Sequence, residues 1–347
     1  MNMNRKKFIK TTTLSSLAIG LTGPFLHTIK NQFSVEPVRL IFDTDMDTDC
    51  DDAGALAMVH TLADREEINL LGTMVSTRYQ WSGQCVAAIN NFFGRPDLPV
   101  GVPKGDGNIE QGDNRGSRYA RQIAREFPHD FPLAEEAPDA VKVYREILNE
   151  QPDNSVVIVT VGYLTNIRYL LESEPDEHSS LNGIELVKQK VKYWVCMGSR
   201  YPADLDPNPW GNFKPDAPST VKAVKNWPGK IIFTGGGKFA QLLATGEKLR
   251  ETREGNPIRR LYELYFDGEA ESRHSADQIA VLVAARGTGH PWKLVTHGYN
   301  HIFSDGRHEW RTETDNPNHS FISALLDDVD PADVIRMIEE LMIDPLL

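Results

Sequence analysis

The stretch RLIFDTDMDTDCDDAGALAMVH, residues 39–60, largely decides how the rest of the chain is interpreted. Within it, six of the ten residues from 43 to 52 are aspartate: Asp43, Asp45, Asp47, Asp49, Asp51 and Asp52. One apolar run precedes these aspartates and a second follows them. Such runs predict a buried strand and then a buried helix, so the aspartates occupy a strand-to-helix junction rather than an ordinary solvated loop.

The same alternation of strand and helix patterns continues along the chain. Near-continuous apolar runs, typical of strands covered on both faces, occur at residues 38–42, 68–76, 155–161, 191–197 and 230–235. Helical spacing of apolar residues occurs at 53–64, 137–150, 165–173, 238–249 and 277–286. A hairpin is predicted at Asp305-Gly306, and a C-terminal helix over 330–342 with Asp330 as its N-cap. The pattern predicts an α/β fold with a doubly wound, mostly parallel, Rossmann-like sheet.

Composition limits the classes of partner. The 347 residues carry a net charge of −12 and show no basic stripe, which argues against nucleic acid as a partner. The three cysteines form no CxxC pair, so neither a disulfide framework nor a zinc site is indicated. No internal repeat or linker follows residue 36, and we expect one domain over residues 36–347. Homo-oligomerisation is left open by the sequence.

The first residues differ from the rest of the chain. Arg5, Lys6 and Lys7 form a basic region that precedes a short stretch of apolar and small residues from 14 to 21. This arrangement is typical of an export signal and is similar to the twin-arginine type, with Lys6 in place of the second arginine. We therefore predict an export signal or disordered N-terminus over residues 1–33. The mature protein would be periplasmic or secreted, with no stable membrane span after signal removal.

The position of the aspartates predicts a bound cation. In doubly wound folds a strand-to-helix junction lies at the carboxyl edge of the sheet, where ligands bind. Six carboxylates at that edge would repel one another unless a positive charge were present. Carboxylates are ligands for hard cations, and their large number favours Ca²⁺ over Mg²⁺.

Four segments resemble the signature of the inosine-uridine-preferring nucleoside hydrolases, in a form with a longer aspartate-rich loop. They are FDTDMDTDCDDAGALA (42–57), VIVTVGYLTNI (157–167), WGNFKPDAPS (210–219) and HSADQIAVLVAARG (274–287). The resemblance spans most of residues 38–285. It implies the nucleoside hydrolase fold and calcium-dependent cleavage of the N-glycosidic bond of ribonucleosides, with a small-molecule nucleoside as the partner.

The resemblance also implies roles for individual residues. Asp45 would be the catalytic base, and the metal ligands would be Asp45, Asp49, Asp52, Asp277 and the carbonyl of Val161. Substrate contacts would come from Asp51, Gln80, Trp210 and Asn212. Two departures stand out, because Trp210 replaces a usual glutamate and Ala276 replaces a histidine that many relatives place beside the distal aspartate. Nucleobase preference, any acid for the leaving group and the roles of the middle aspartates are not determined by the sequence.

Other interpretations are open at this stage. Asp-x-Asp after a first strand also occurs in phosphohydrolases of the haloacid dehalogenase type, whose first aspartate is the nucleophile. A calcium-dependent nucleoside- or sugar-binding protein without turnover is a further alternative. Individually, Asn166 and Asp277 could be helix caps, and Asn212 could be a turn residue.

Overall fold

The computed structural model describes residues 36–47, 49–105, 117–201 and 211–343. The segment predicted as an export signal, residues 1–33, therefore lies outside the described residues. Within these ranges, none of the helices combines the length and apolar character that crossing a bilayer would require.

The described residues form ten strands and eleven α-helices. The strands are β1 Val38–Thr44, β2 Ile68–Val75, β3 Val100–Gly101, β4 Val156–Thr160, β5 Val191–Arg200, β6 Ile231–Gly236, β7 Trp292–Val295, β8 Tyr299–Ile302, β9 His308–Arg311 and β10 His319–Leu325. The helices are α1 Asp51–Asp64, α2 Ser82–Phe92, α3 Ser117–Glu126, α4 Ala140–Glu150, α5 Thr165–Leu171, α6 Gly183–Lys190, α7 Ala217–Asn226, α8 Lys238–Leu242, α9 Pro257–Phe266, α10 Ala276–Arg286 and α11 Pro331–Ile343.

Eight strands form the central sheet, in the order β3-β2-β1-β4-β5-β6-β10-β7. All neighbouring pairs are parallel except β10 and β7. The chain runs outward from β1 to β3 and then returns to place β4 on the other side of β1. This reversal is the topological switch point, where the loops after β1 and β4 diverge and leave room for a ligand.

Helices cover both faces of the sheet, so the protein has three layers. Helices α1, α2, α3, α9, α10 and α11 contribute to one apolar core, and α4 to α7 contribute to the second. Helix α1 is buried along nearly its whole length, against α10 and α11. A helix enclosed in this way has little freedom to move, so the aspartates in its first turn are held firmly.

Most of the elements predicted from the sequence are present. The α/β class, the mostly parallel sheet and the hairpin at Asp305-Gly306 are confirmed, and Asp330 accepts a hydrogen bond from Ala332 N as the predicted N-cap. The predicted helix 238–249 is wrong as a single element. It is divided into α8 and a 3-10 helix, Glu247–Glu251, because Gly246 between them has φ +128°, which no helix accommodates.

Candidate functional site

A cavity of about 330 Å³ opens at the carboxyl edge of the sheet, beside the switch point. Its walls come from the β1–α1 loop and the start of α1, the loop after β4, the 3-10 turn Gly211–Phe213, and the segment that enters α10. The lining residues are Asp45, Asp49, Asp51, Asp52, Val161, Tyr163, Met197, Gly211, Asn212, Pro215, Arg273, His274, Ala276 and Asp277. The structure thus brings together most of the residues that the sequence assigned to the site.

Three carboxylates form a compact group in this cavity. Asp51, Asp52 and Asp277 each offer an oxygen, and these oxygens lie within 4.8 Å of one another. Asp277 lies in the first turn of α10 rather than at its cap, since the N-cap residue is Ser275. Its Oδ1 is buried and has no hydrogen-bond partner among the described residues. Helix capping therefore does not account for Asp277.

Burial and mutual repulsion act on the same three carboxyls. Burial raises the pKa of Asp277 well above its ordinary value, and the charges of Asp51 and Asp52 raise it further. Burial likewise raises the pKa of Asp51, together with the charge of Asp49. The pKa of Asp52 is raised by burial and by the charge of Asp45, although the Thr44 hydroxyl, which donates to its Oδ1, lowers it. Each shift shows that a nearby positive charge would favour the ionised site.

The group has the donors that a hard cation needs. Carboxylate oxygens are the preferred ligands of Ca²⁺, and Asp277 has a buried oxygen that no hydrogen-bond donor among the described residues contacts. Val161 lines the same cavity, and its backbone carbonyl, which accepts a hydrogen bond from Asn212, is a neutral candidate ligand. These residues therefore fit a divalent metal ion on their chemistry alone.

The loop after β4 approaches the aspartate loop very closely at Gly162. A Cβ added to Gly162 would overlap Ser76 Oγ and the backbone nitrogen of Asp45. Any larger residue would separate the two loops, so glycine at this position is what allows Val161 and Asp45 to line one cavity. Asn212 is not a simple turn residue either, because its amide donates to the Val161 carbonyl at 2.5 Å.

Asp43, the first aspartate of the cluster, supports the cavity from beneath rather than lining it. Tyr144 donates its hydroxyl to Asp43 Oδ2 at 2.9 Å, and Asn166 Nδ2 donates to the same oxygen at 3.1 Å. Asn166 also donates to the carbonyl of Val75, so it links α5 to the two strands β1 and β2 instead of capping α5. Burial raises the pKa of Asp43 to about 7, against the lowering effect of these hydrogen bonds.

Asp49 is paired with a cation that the sequence analysis did not identify. Arg273 donates from Nε to Asp49 Oδ1 at 3.0 Å and from Nη2 to Oδ2 at 2.6 Å. Burial alone would raise the pKa of Asp49, but the hydrogen bonds and charge of Arg273 hold it well below its ordinary value. Asp49, assigned to the metal from the sequence, is thus paired with Arg273, and it also belongs with Asp51 and His274 to a second group of possible metal ligands.

His274 lies next to this pair and also lines the cavity. Its Nε2 is 3.6 Å from one oxygen of Asp49 and 3.6 Å from one oxygen of Asp51. Burial lowers the pKa of His274, although the charge of Asp49 opposes that effect. The sequence did not determine whether His274 faces the site, and the structure places it there.

Two predicted substrate contacts are not part of the described cavity. Gln80 is exposed and lines a different cavity of about 530 Å³, together with Arg78 and Lys104. Trp210 lies outside the described residues. Arg273 was missed because no motif includes it. The available signal was the excess of aspartates, since six carboxylates exceed what one divalent ion neutralises and so require a cationic side chain.

Comparison with known proteins identifies the fold. No family model and no curated protein matches the sequence. Among solved structures, a plant nucleoside hydrolase is similar, with a TM-score of 0.64, 16% identity and coverage of 89% of this chain and 100% of that one. The inosine-uridine preferring nucleoside hydrolase from Bacillus anthracis has a TM-score of 0.61 and 14% identity, and the match covers 88% of this chain and 99% of that one. The type III effector protein XopQ complexed with adenosine diphosphate ribose has a TM-score of 0.62 and 14% identity, and the match covers 90% of this chain and 94% of that one. The chain therefore has the nucleoside hydrolase fold.

Proposed function

We propose that this chain hydrolyses the N-glycosidic bond of ribonucleosides and requires Ca²⁺ to do so. The observation that carries the proposal is the convergence of Asp45, Asp51, Asp52 and Asp277 with Val161 around one cavity. The convergence occurs at the switch point of a fold shared with proteins described as nucleoside hydrolases.

The proposed reaction uses the side chains of the chain in three ways. Asp45 accepts a proton from the attacking water, which then bonds to the anomeric carbon of the ribose. Asp51 and Asn212 hold the ribose hydroxyls, because fixing the substrate lowers the barrier. The carboxylates around the ring stabilise the positive charge of the oxocarbenium-like transition state. Calcium, when bound, would orient the water and lower its pKa.

The phosphohydrolase alternative fits the structure less well. In a haloacid dehalogenase-type enzyme the first aspartate attacks the substrate and must reach it. Here Asp43 is fully buried, is held by Tyr144 and Asn166, and is not among the residues that line the cavity. This geometry gives Asp43 a supporting role.

Ligand binding without turnover is the second candidate function. It is favoured by Ala276, which lines the cavity at the place where many relatives have a histidine. The similarity in fold to XopQ, which is described as complexed with adenosine diphosphate ribose, also supports this candidate. A ribosyl ligand is common to both candidates, so only turnover separates them.

A panel of nucleosides and an activated aryl riboside, assayed with calcium and with a chelator, tests the proposal. We expect release of base and ribose in the presence of calcium and its loss with the chelator. Asp45→Asn is the control for contaminating activity. Tight binding of a ribose analogue without turnover of even the aryl riboside would favour the binding protein. Equal rates with and without chelator would refute the calcium requirement.

We also propose that the chain is exported, on the basis of its basic and then apolar N-terminal residues. Cell fractionation of the full-length chain tests this. Retention of the uncleaved chain in the cytoplasm would contradict it.

A further inference from the structure

Arg273 is held on the wall of the cavity by three separate contacts. Its backbone pairs with Thr245 through two hydrogen bonds of 2.8 and 2.9 Å. Its guanidinium makes the bidentate contact with Asp49 and lies 5.6 Å from the centre of the Tyr265 ring. Asp49 is fixed in turn, because Tyr119 donates to its backbone carbonyl at 2.8 Å. A long and flexible side chain is therefore kept in one position facing the cavity.

The bidentate contact leaves part of the guanidinium available. An arginine has five N–H donors, and Asp49 uses one on Nε and one on Nη2. Among the residues that the structure describes, Nη1 donates to no protein group. The side chain of Arg273 is 33% exposed and lines the cavity, so its remaining donors are accessible to a ligand.

Release of the base places a further negative charge in this cavity. When the bond between the anomeric carbon and the base breaks, its electron pair moves onto the base. Negative charge then develops on the base near Asp45, Asp51 and Asp277, which oppose it. Ala276 carries no proton to offset this charge.

We propose that Arg273 donates hydrogen bonds to the departing base and stabilises its developing negative charge, while Asp49 positions the guanidinium. This inference rests on the proposed function. In the balanced step, the carbon–nitrogen bond breaks and its electrons go to the base. The water oxygen bonds to the anomeric carbon, and the proton of that water goes to Asp45. The base leaves as an anion and takes a proton from solvent afterwards.

The inference also defines a substrate class. A planar base with ring nitrogen or exocyclic oxygen acceptors can receive the free N–H groups of Arg273, as purine and oxopyrimidine bases do. A leaving group that is already a stable anion, such as 4-nitrophenolate, depends less on this help. Arg273 should therefore matter most for poor leaving groups.

Arg273→Gln, compared on inosine, uridine and 4-nitrophenyl riboside, is the central experiment. We expect kcat/KM to fall by about 100-fold on the two nucleosides, the usual effect of losing one such donor, and by less than about tenfold on the aryl riboside. Arg286→Gln is a matched control. Arg286 makes the same bidentate contact with Glu67 and is 32% exposed, but it lies at the other end of α10 and does not line the cavity.

A second pair of variants separates stabilisation of the base from disturbance of Asp49. Arg273→Gln releases a carboxylate beside the proposed metal site, whereas the double variant Asp49→Asn/Arg273→Gln does not. If Arg273 acts on the base, the double variant keeps the selective loss on nucleosides. Recovery of nucleoside hydrolysis in the double variant would overturn the inference.

Product inhibition gives a readout that does not depend on the rate of the chemical step. We expect Arg273→Gln to raise the inhibition constant of free hypoxanthine about tenfold and to leave that of ribose unchanged. Equal losses on all three ribosides, with unchanged inhibition by hypoxanthine, would give Arg273 a structural role only. In that case the aryl riboside would still be cleaved by the unaltered protein, and the proposed function would stand.

Discussion

Replacement of Asp277 by asparagine should stabilise the metal-free protein and weaken calcium binding at the same time. The carboxylate oxygens of Asp51, Asp52 and Asp277 lie within 4.8 Å of one another. Two unit charges at that distance repel by about 3.5 kcal/mol at an effective dielectric constant of ~20. Protonation relieves part of this repulsion, so we expect asparagine to add about 2 kcal/mol to the free energy of unfolding without metal. For a chain of this length that is about 3 °C in Tm.

With calcium bound, the unaltered protein should become more stable than Asp277→Asn. At a free calcium concentration of 100 times Kd, the unaltered protein gains about 2.7 kcal/mol, or about 4 °C. Asp277→Asn removes an anionic ligand, so it needs more calcium and gains less at the same concentration. Thermal melts of both proteins, with chelator and across a calcium titration, measure this crossing.

The pH dependence of the metal-free melts provides a further check. The folded-state pKa of Asp277 is raised above 3.8 by burial and by its acidic neighbours. Ionisation of Asp277 therefore costs stability, and the unaltered protein should lose stability as pH rises above about 3.8, more steeply than Asp277→Asn. Asp333→Asn is the control, since Asp333 occupies the first turn of α11 but is 65% exposed. A metal-free Tm for Asp277→Asn at or below that of the unaltered protein would refute the reasoning.

Three further predictions concern activity and a distant ion pair. Asp45→Asn should abolish turnover while a tight-binding azasugar still binds, because asparagine keeps the shape and cannot take the proton; full activity would move the base to Asp49 or Asp51. An aryl riboside should be cleaved much faster than inosine or uridine, and His274→Ala should change little; comparable rates on both substrate types would count against this. Asp176 accepts two hydrogen bonds from the buried Arg145, at 2.7 and 2.9 Å, and these hold its pKa below the ordinary 3.8. Asp176→Asn should therefore lower the free energy of unfolding at pH 7 by about 1.5–3 kcal/mol, and denaturant melts should show the difference shrinking as pH falls below 3.8; a difference independent of pH would contradict the assignment.

The strand-to-helix junctions are the part of the fold that the sequence predicts well. The strands β1, β4 and β6 are short, apolar and rich in β-branched residues, because a parallel sheet covered on both faces admits little else. Helix α9 and strand β10 were not predicted. Polar residues interrupt the apolar pattern of both elements, so their burial depends on neighbours that are distant in the chain.

The candidate site likewise contains residues that the sequence predicts and residues that it does not. Asp45, Asp52 and Asp277 lie in motifs at predictable positions after strands or at a helix start, and they meet as expected. The contact between Arg273 and Asp49 joins residues 224 positions apart. No local pattern encodes such a contact. Gln80 does not line this cavity although it follows a strand. A position after a strand does not fix the direction in which an exposed side chain points.

The position of the cavity at the topological switch point affects the rates of folding and unfolding. The proposed metal ligands come from residues 45–52, from 161 and from 277, so each of these parts of the site lies more than a hundred positions from the next. Contacts between such distant segments form late, after the loops between them have closed. Interactions absent from the folding transition state act on the unfolding rate alone. Calcium should therefore prolong the lifetime of the folded protein while leaving its rate of folding unchanged.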